Sequence, residues 1–225
     1  MTAAFVTATG TDIGKTFVTT GLIRHLRGAG RAVDAIKPVV SGFDPTDWRD
    51  SDPAALLAVL GRPIALDEAE RISPWRFAAP LSPHMAARHE GRSIAFQEVV
   101  DFCRRTVAAR RGVLLIEGIG GIMVPLDDHR TVLDWMSVLR IPIVLVAGSY
   151  VGTMSHTLTS LEVLSRRNLN VVAVVISESE GSAASLEDTI ATVQRFADSI
   201  DVVGIPRIPP GTMEHPAFAR IAGLL

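Results

Sequence analysis

Residues Ala8 to Leu22 read ATGTDIGKTFVTTGL. They follow an apolar run, AAFVTA at 3–8, and lead into a stretch of helical character, Lys15–Ala29. A strand, a glycine turn closing on Gly14-Lys15-Thr16 and a helix is the context that a phosphate-binding loop requires. Backbone N–H groups and the helix N-terminus then face the phosphate. On that reading Lys15 reaches the outer phosphates and the Thr16 hydroxyl ligates Mg²⁺. The alternative is a tight strand-to-helix turn carrying a chance Gly-Lys-Thr. The loop is one residue shorter than the usual spacing. Only Thr11, Asp12 and Ile13 separate Gly10 from Gly14, and Thr9 stands where the first glycine is expected.

Outward from the loop, continuous apolar runs alternate with helical stretches. The runs VDAIKPV (33–39), VLLIEG (113–118), PIVLVAG (142–148), NVVAVVIS (170–177) and DVVGIP (201–206) follow the first. They are continuous rather than alternating, as buried parallel strands are. Helices are expected at Phe96–Arg110, Ser155–Asn168 and Leu186–Ile200. The order implies an α/β fold, a mostly parallel sheet with helices on both faces. Residues 41–95 differ: they are rich in Pro, Asp, Arg and Trp, with one short helical piece at Pro53–Leu60. They read as an insertion over the carboxyl ends of the strands, where open α/β sheets bind ligands. With no repeat or linker, residues 1–225 are expected to form one domain.

At 225 residues, the chain can bury a substantial core, and 48% hydrophobic with 20% charged residues is an ordinary globular balance. A formal net charge of −2 offers no basic face for nucleic acid. No run is long enough to span a bilayer, and no leader segment is visible, so a cytoplasmic setting is expected. Cys103 is the only cysteine, which excludes a disulfide within the chain; it lies in a helical run and reads as core. The only lysines are Lys15 and Lys37; arginine carries the remaining formal positive charge. A compact ammonium is therefore kept at two places only, which lysine–phosphate chemistry explains. A genome that favours arginine codons would account for the rest.

Glu117 ends a buried strand and is followed by Gly118, Gly120 and Gly121. An acid at that position can hold a metal, and the glycines let a ligand approach the backbone. The plainer account is a carboxylate satisfied by nearby amides. Lys37 closes the second apolar run beside Ser41 and Gly42, where it can point into the ligand crevice or snorkel to water. Asp52 precedes a helix and is either an N-cap or a Mg²⁺ or nucleotide contact. His84 reads as structural and His25 as a surface residue of the first helix.

The ordered set TGTDIGKT, IKPVVSG, RDSD, FAAPLSPH and IEGIGG before PL resembles dethiobiotin synthetase, over almost the full length of the chain. The resemblance implies a P-loop NTPase-like fold, a homodimer, and a ligase of biotin biosynthesis. That activity uses ATP and Mg²⁺ to carboxylate 7,8-diaminopelargonic acid with CO₂ and to close the ring to dethiobiotin, releasing ADP and phosphate. The route runs through a carbamate and a carbamic-phosphoric anhydride. The residues matching the family's motifs are then Lys15 and Lys37 as catalytic groups and Thr16, Asp52 and Glu117 as metal ligands. Asp12, Ile13, Gly14, Lys15, Thr16, Phe17, Asp52, Glu117, Gly118, Gly120, Ser177 and Pro206 match nucleotide contacts. Thr11, Lys37, Ser41, Ser82 and Gly120 match substrate contacts. Gly148, Gly152 and Ser155 lie in a segment, GSYVGTMSH (148–156), that in the family reaches the neighbouring subunit's substrate. This chain departs from the pattern in its shorter loop and at Ser177, where the family often places an asparagine that reads adenine; at Ser155, too, some relatives carry asparagine.

Two other classes share the fold. Partition-type or septum-positioning ATPases usually carry an extra lysine early in the loop, but Ala8, Thr9 and Gly10 occupy that stretch. The C-terminus FARIAGLL is also too short and weakly basic for a membrane-targeting helix. A small-metabolite kinase would transfer phosphate with no ring closure, and the order of motifs disfavours it.

Overall fold

A computed structural model describes residues 2–208 and 214–225. The chain opens with β1 (Ala3–Ala8), buried along its whole length, and turns through the glycine loop into α1 (Lys15–Gly28). Next comes β2 (Val33–Ile36), which ends earlier than the apolar run implied. Lys37 donates its N–H to the Ile72 carbonyl, and Pro38 has no N–H to continue the ladder. The run therefore splits, and Val39–Ser41 becomes β3, outside the main sheet.

The stretch expected to be an insertion with one helix holds considerably more. α2 (Asp52–Leu60), α3 (Leu66–Ile72), β4 (Trp75–Phe77) and α4 (Pro83–His89) follow in order, and β3 pairs with β4 in a separate parallel ladder. These short pieces lack the length over which helical periodicity becomes visible. The rest alternates as expected: α5 (Phe96–Ala109), β5 (Val113–Glu117), α6 (Val132–Leu139), β6 (Ile143–Gly148), α7 (Thr153–Arg166), β7 (Val171–Ser177), α8 (Leu186–Phe196), β8 (Asp201–Ile205) and α9 (Pro216–Gly223). The helices α6 and α9 are additions to the sequence reading, and α8 stops short of the expected Ile200. α6 had a usable signal: Thr131 and Asp134 form a reciprocal capping box.

The main sheet has the order β2-β5-β1-β6-β7-β8, with every pairing parallel. The chain builds outward from β1 to one side, then returns to build on the other. The reversal leaves a crevice at the carboxyl ends of β1, β5 and β6, the place where such sheets bind ligands. Inside, Phe5 and Trp135 meet edge to face at 4.9 Å. Gly21 lets α9 close on α1: a Cβ there would lie 2.1 Å from the Phe218 ring. Cys103 is fully buried as expected, and burial pushes its thiol up to about 12. Among the described residues, no helix is long and apolar enough to cross a membrane.

Candidate active site

The sheet register assembles the phosphate end. Ile36 pairs with Ile116, so the next residues, Lys37 and Glu117, emerge side by side. Val6 pairs with Glu117, which sets that carboxylate below the loop that leaves β1. Thr9 explains the short loop. Its N–H donates to the Val146 carbonyl at 2.9 Å, so the strand-like ladder runs one residue past β1 and the turn begins only at Gly10. Asp12 and Gly14 both take positive φ, 56° and 98°, to turn the chain within that span. The Lys15 ammonium closes the turn by donating to the Gly10 carbonyl at 3.0 Å. Gly121 lies so close that a Cβ there would meet the Thr9 carbonyl oxygen at 3.1 Å.

Four polar groups then interlock. The Lys37 ammonium lies 2.7 Å from Asp52 Oδ2 and 2.7 Å from Glu117 Oε1. The Thr16 hydroxyl donates to the same Glu117 Oε1 at 2.7 Å. Glu117 Oε2 is buried and lacks a hydrogen-bond partner. Asp52 is the first residue of α2 rather than its cap, which is Ser51. Burial disfavours the charge on Lys37, but Glu117 and Asp52 outweigh it and hold its pKa above the ordinary lysine value. Asp52 is likewise opposed by burial and held below the usual carboxylate range by Lys37, with help from Thr16 and Lys15. Lys15 goes the other way: burial first, then the Lys37 charge, lower it to about 8, against the pull of Glu117, Asp52 and Asp12.

A cleft of about 820 Å³ opens over this cluster. Thr11, Asp12, Ile13, Gly14, Lys15, Thr16, Phe17, Lys37, Ser41, Asp52, Ser82 and Gly120 all line it. The insertion supplies its far wall through Ser41, Pro80, Leu81 and Ser82. Ser82 lies 3.2 Å from His84 Nδ1 at the start of α4, a hydrogen bond that gives His84 the structural place expected of it. A second cleft of about 440 Å³ shares Asp12, Ile13, Gly14 and Phe17 with the first and adds Ser177 and Pro206. Glu117 and Gly118 sit beneath the first cleft, with the Gly118 carbonyl 3.5 Å from Lys37 Nζ.

Gly148, Gly152 and Ser155 line neither cleft. Gly148 ends β6 beside Ser177, and Gly152 caps α7 with φ 96°. Near them Val151 stands 85% exposed and the Tyr150 hydroxyl meets His156 Nδ1 at 2.8 Å. Sequence reasoning missed Val40, Ile119 and Val124 in the first cleft and Glu178, Ser179, Glu180, Arg207 and Ile208 in the second. Val40 and Ile119 are apolar members of IKPVVSG and IEGIGG, whose polar residues drew the reading, whereas Val124 and the second-cleft residues sit in no motif. Those of the second cleft follow the ends of β7 and β8.

The sequence matches a family described as an AAA domain over residues 2–213. It is 47% identical over 208 residues to the ATP-dependent dethiobiotin synthetase BioD of Caulobacter vibrioides (strain NA1000 / CB15N), spanning 92% of this chain and 93% of that one. It is 50% identical over 208 residues to the protein of the same name from Caulobacter sp. (strain K31), spanning 92% and 89%. Among solved structures, the septum site-determining protein MinD complexed with Mg-ADP from Pyrococcus horikoshii OT3 superimposes with a TM-score of 0.57. The identity is 17%, over 98% of this chain and 94% of that one. That likeness shows a shared α/β fold and no more, whereas the two Caulobacter relatives carry the synthetase name.

Proposed function

The chain belongs to the dethiobiotin synthetase family, and from that premise we propose that it carboxylates 7,8-diaminopelargonic acid with CO₂ and closes the ureido ring to dethiobiotin, with ATP converted to ADP and phosphate. The observation that carries this reading is the Lys37 ammonium, 2.7 Å from both Asp52 and Glu117 and open to the cleft that the phosphate loop borders. Phosphoryl transfer needs positioning and charge neutralisation more than a covalent nucleophile, and this cluster supplies both.

The residues fit Mg²⁺. Asp52, Glu117 and the Thr16 hydroxyl give hard oxygen donors, and the buried, unpartnered Glu117 Oε2 has lone pairs to offer. Among the described residues no three His, Cys, Asp or Glu side chains converge, which suits a cation that keeps waters and phosphate oxygens as its other ligands. When bound, Mg²⁺ supplies charge neutralisation at the phosphate oxygens.

The chain's own groups divide the work. The loop amides and the N-terminus of α1 hold the phosphates, and Lys15 adds charge beside them. Lys37 places its ammonium where a carbamate oxygen and the γ-phosphate meet. Ser41, Ser82, Thr11 and Gly120 line the same cleft and orient the diamine. One amine adds CO₂ to give the carbamate, which takes the γ-phosphoryl group as a mixed anhydride; the second amine closes the ring and releases phosphate. The chain acts as one domain, with the segment at 41–95 roofing the substrate. Gly148, Gly152 and Ser155 line neither cleft and serve the site of a second subunit in a homodimer. The buried, unreactive thiol of Cys103 suits the cytoplasm.

The test supplies 7,8-diaminopelargonic acid, bicarbonate and Mg-ATP to the purified protein and detects dethiobiotin by mass spectrometry. Product that depends on all three is expected. Phosphate release that ignores the diamine and yields no dethiobiotin would overturn the reading and leave a nucleotide switch in its place.

A further inference from the structure

The second cleft holds a carboxylate that no motif foretold. Glu178 directly follows β7, and its N–H donates to the Ile205 carbonyl at 2.9 Å. Its Oε2 accepts from the Arg207 amide at 2.8 Å. The half-buried side chain is thereby pinned across the ends of β7 and β8, on the wall of the cleft. The Arg207 guanidinium lies 3.4 Å from Glu180, so the same wall offers one guanidinium beside two carboxylates. Ser177, in contrast, turns its hydroxyl toward the phosphate loop, 2.8 Å from where a Gly14 side chain would begin.

A nucleotide whose phosphates lie on the loop extends its base into this cleft, because Asp12, Ile13, Gly14 and Phe17 border both spaces. Adenine presents an amino donor beside a ring-nitrogen acceptor. An amide side chain matches that pair; a carboxylate, which only accepts, does not. Guanine presents two adjacent N–H donors beside a carbonyl oxygen. A carboxylate takes the two donors, and a neighbouring guanidinium takes the oxygen. At the position after Ser177 the chain places a carboxylate fixed by the Arg207 backbone amide, with the Arg207 guanidinium on the same cleft wall beside Glu180.

We propose that Glu178 reads the nucleobase and that this chain accepts guanine nucleotides alongside ATP. The proposal rests on the synthetase reading above only for the reaction; the chemistry is unchanged, with GTP giving up its γ-phosphoryl group to the carbamate oxygen and leaving as GDP.

The experiment measures binding of Mg-ADP, Mg-GDP and Mg-IDP by calorimetry, together with dethiobiotin formation from ATP and GTP. It uses the wild type and Glu178→Gln. Glutamine keeps one oxygen for the Arg207 amide and turns the other position into a donor, so the wall holds its shape. The wild type is expected to bind GDP within about tenfold of ADP and IDP, which lacks the 2-amino group, about tenfold more weakly than GDP. Glu178→Gln is expected to weaken GDP about tenfold or more and ADP less than about threefold. GDP binding weaker than ADP by more than that tenfold, or a Glu178→Gln loss equal for both bases, overturns the proposal. Binding is read without turnover, so the two readings fail separately. Dethiobiotin absent with either nucleotide, while the base pattern holds, sinks the synthetase reading alone. Dethiobiotin from ATP with no affinity for GDP sinks the base reading alone.

Discussion

At the phosphate end of the groove, the Lys37 and Glu117 side chains are 4% and 0% exposed and bonded to one another. At the end proposed to hold the base, Arg207 and Glu180 meet at 3.4 Å with side chains 59% and 85% exposed. Both are pairs of opposite charge at or just past strand ends of one parallel sheet, yet their physics differs. Water screens the outer pair, and side-chain entropy opposes its fixed geometry, so it contributes little to stability. The inner pair has lost its water and depends on its partners for every compensating interaction. A buried cluster of this kind constrains residue type at each position, whereas an exposed pair leaves the chain free to vary the reader of the base.

The largest effect is expected on removing the inner cation. Lys37→Ala should lower turnover by about a thousandfold or more, since positioned charge at a transferring phosphoryl group is worth several kcal/mol. It also leaves Glu117 buried without a cation, which costs about 3–5 kcal/mol of stability. Combining Lys37→Ala with Glu117→Gln should restore much of the melting temperature and none of the turnover. Turnover and thermal melts on the single and double variants separate the catalytic role from the structural one. If the double variant melts no higher than Lys37→Ala, the buried-charge account fails. Lys37→Arg should also be inactive, because a planar fork does not replace a point charge in a closed site; near-normal turnover there would refute the role given to Lys37.

Glu117→Gln alone comes next. It keeps the shape and one acceptor for Lys37 and Thr16 but removes the negative charge that the proposed Mg²⁺ site needs. Turnover is expected to fall about a hundredfold, and the Mg²⁺ concentration for half-maximal activity to rise. A variant with an unchanged Mg²⁺ requirement would remove Glu117 from the metal site and leave it as the structural partner of Lys37.

The inner end was legible because its residues are tied to motifs with a physical cause. Gly14-Lys15-Thr16 followed the first strand, Glu117 ended a buried run, and the two lysines of an arginine-rich chain both reach the cleft. What the sequence hid was register. The pairing of Ile36 with Ile116 decides that Lys37 meets Glu117, and nothing local encodes it. The same blindness made one strand of residues 33–39, where Pro38 divides two strands of different sheets. It also left α3 and α4 unseen in a segment read as irregular. At the base end, Glu178 and Arg207 converge only because β7 and β8 are neighbours, and half-exposed charges carry no periodic signature.

A smaller effect follows from Lys15, lowered to about 8 by burial and by Lys37. In the free protein its charge is lost above that pH, so kcat/KM for ATP should fall by up to about tenfold per pH unit there. Bound phosphates favour the ammonium, so kcat at saturating ATP should hold to higher pH. For stability the sign is reversed from that of a paired lysine. The unfolded chain, titrating near 10.5, retains a proton that the folded one releases, so stability rises with pH between about 8 and 10.5. Below that window the buried ammonium is a fixed penalty. Lys15→Met should abolish this slope in thermal melts across that window; a slope that survives the substitution belongs to another group.

The smallest effect belongs to the outer pair. Glu180→Gln removes a carboxylate that is 85% exposed and paired at 3.4 Å. Stability should change by less than about 0.5 kcal/mol, as for most exposed substitutions. Turnover with ATP should stay within about twofold, because Glu178 is held by the Arg207 backbone amide and does not need the Arg207–Glu180 pair for its position. A fall of tenfold, weakened further by added salt, would show that the outer pair fixes the base after all. The contrast between a buried end that dictates its residues and an exposed end that tolerates change would then have to be abandoned, since screened charges would be setting affinity as strictly as buried ones.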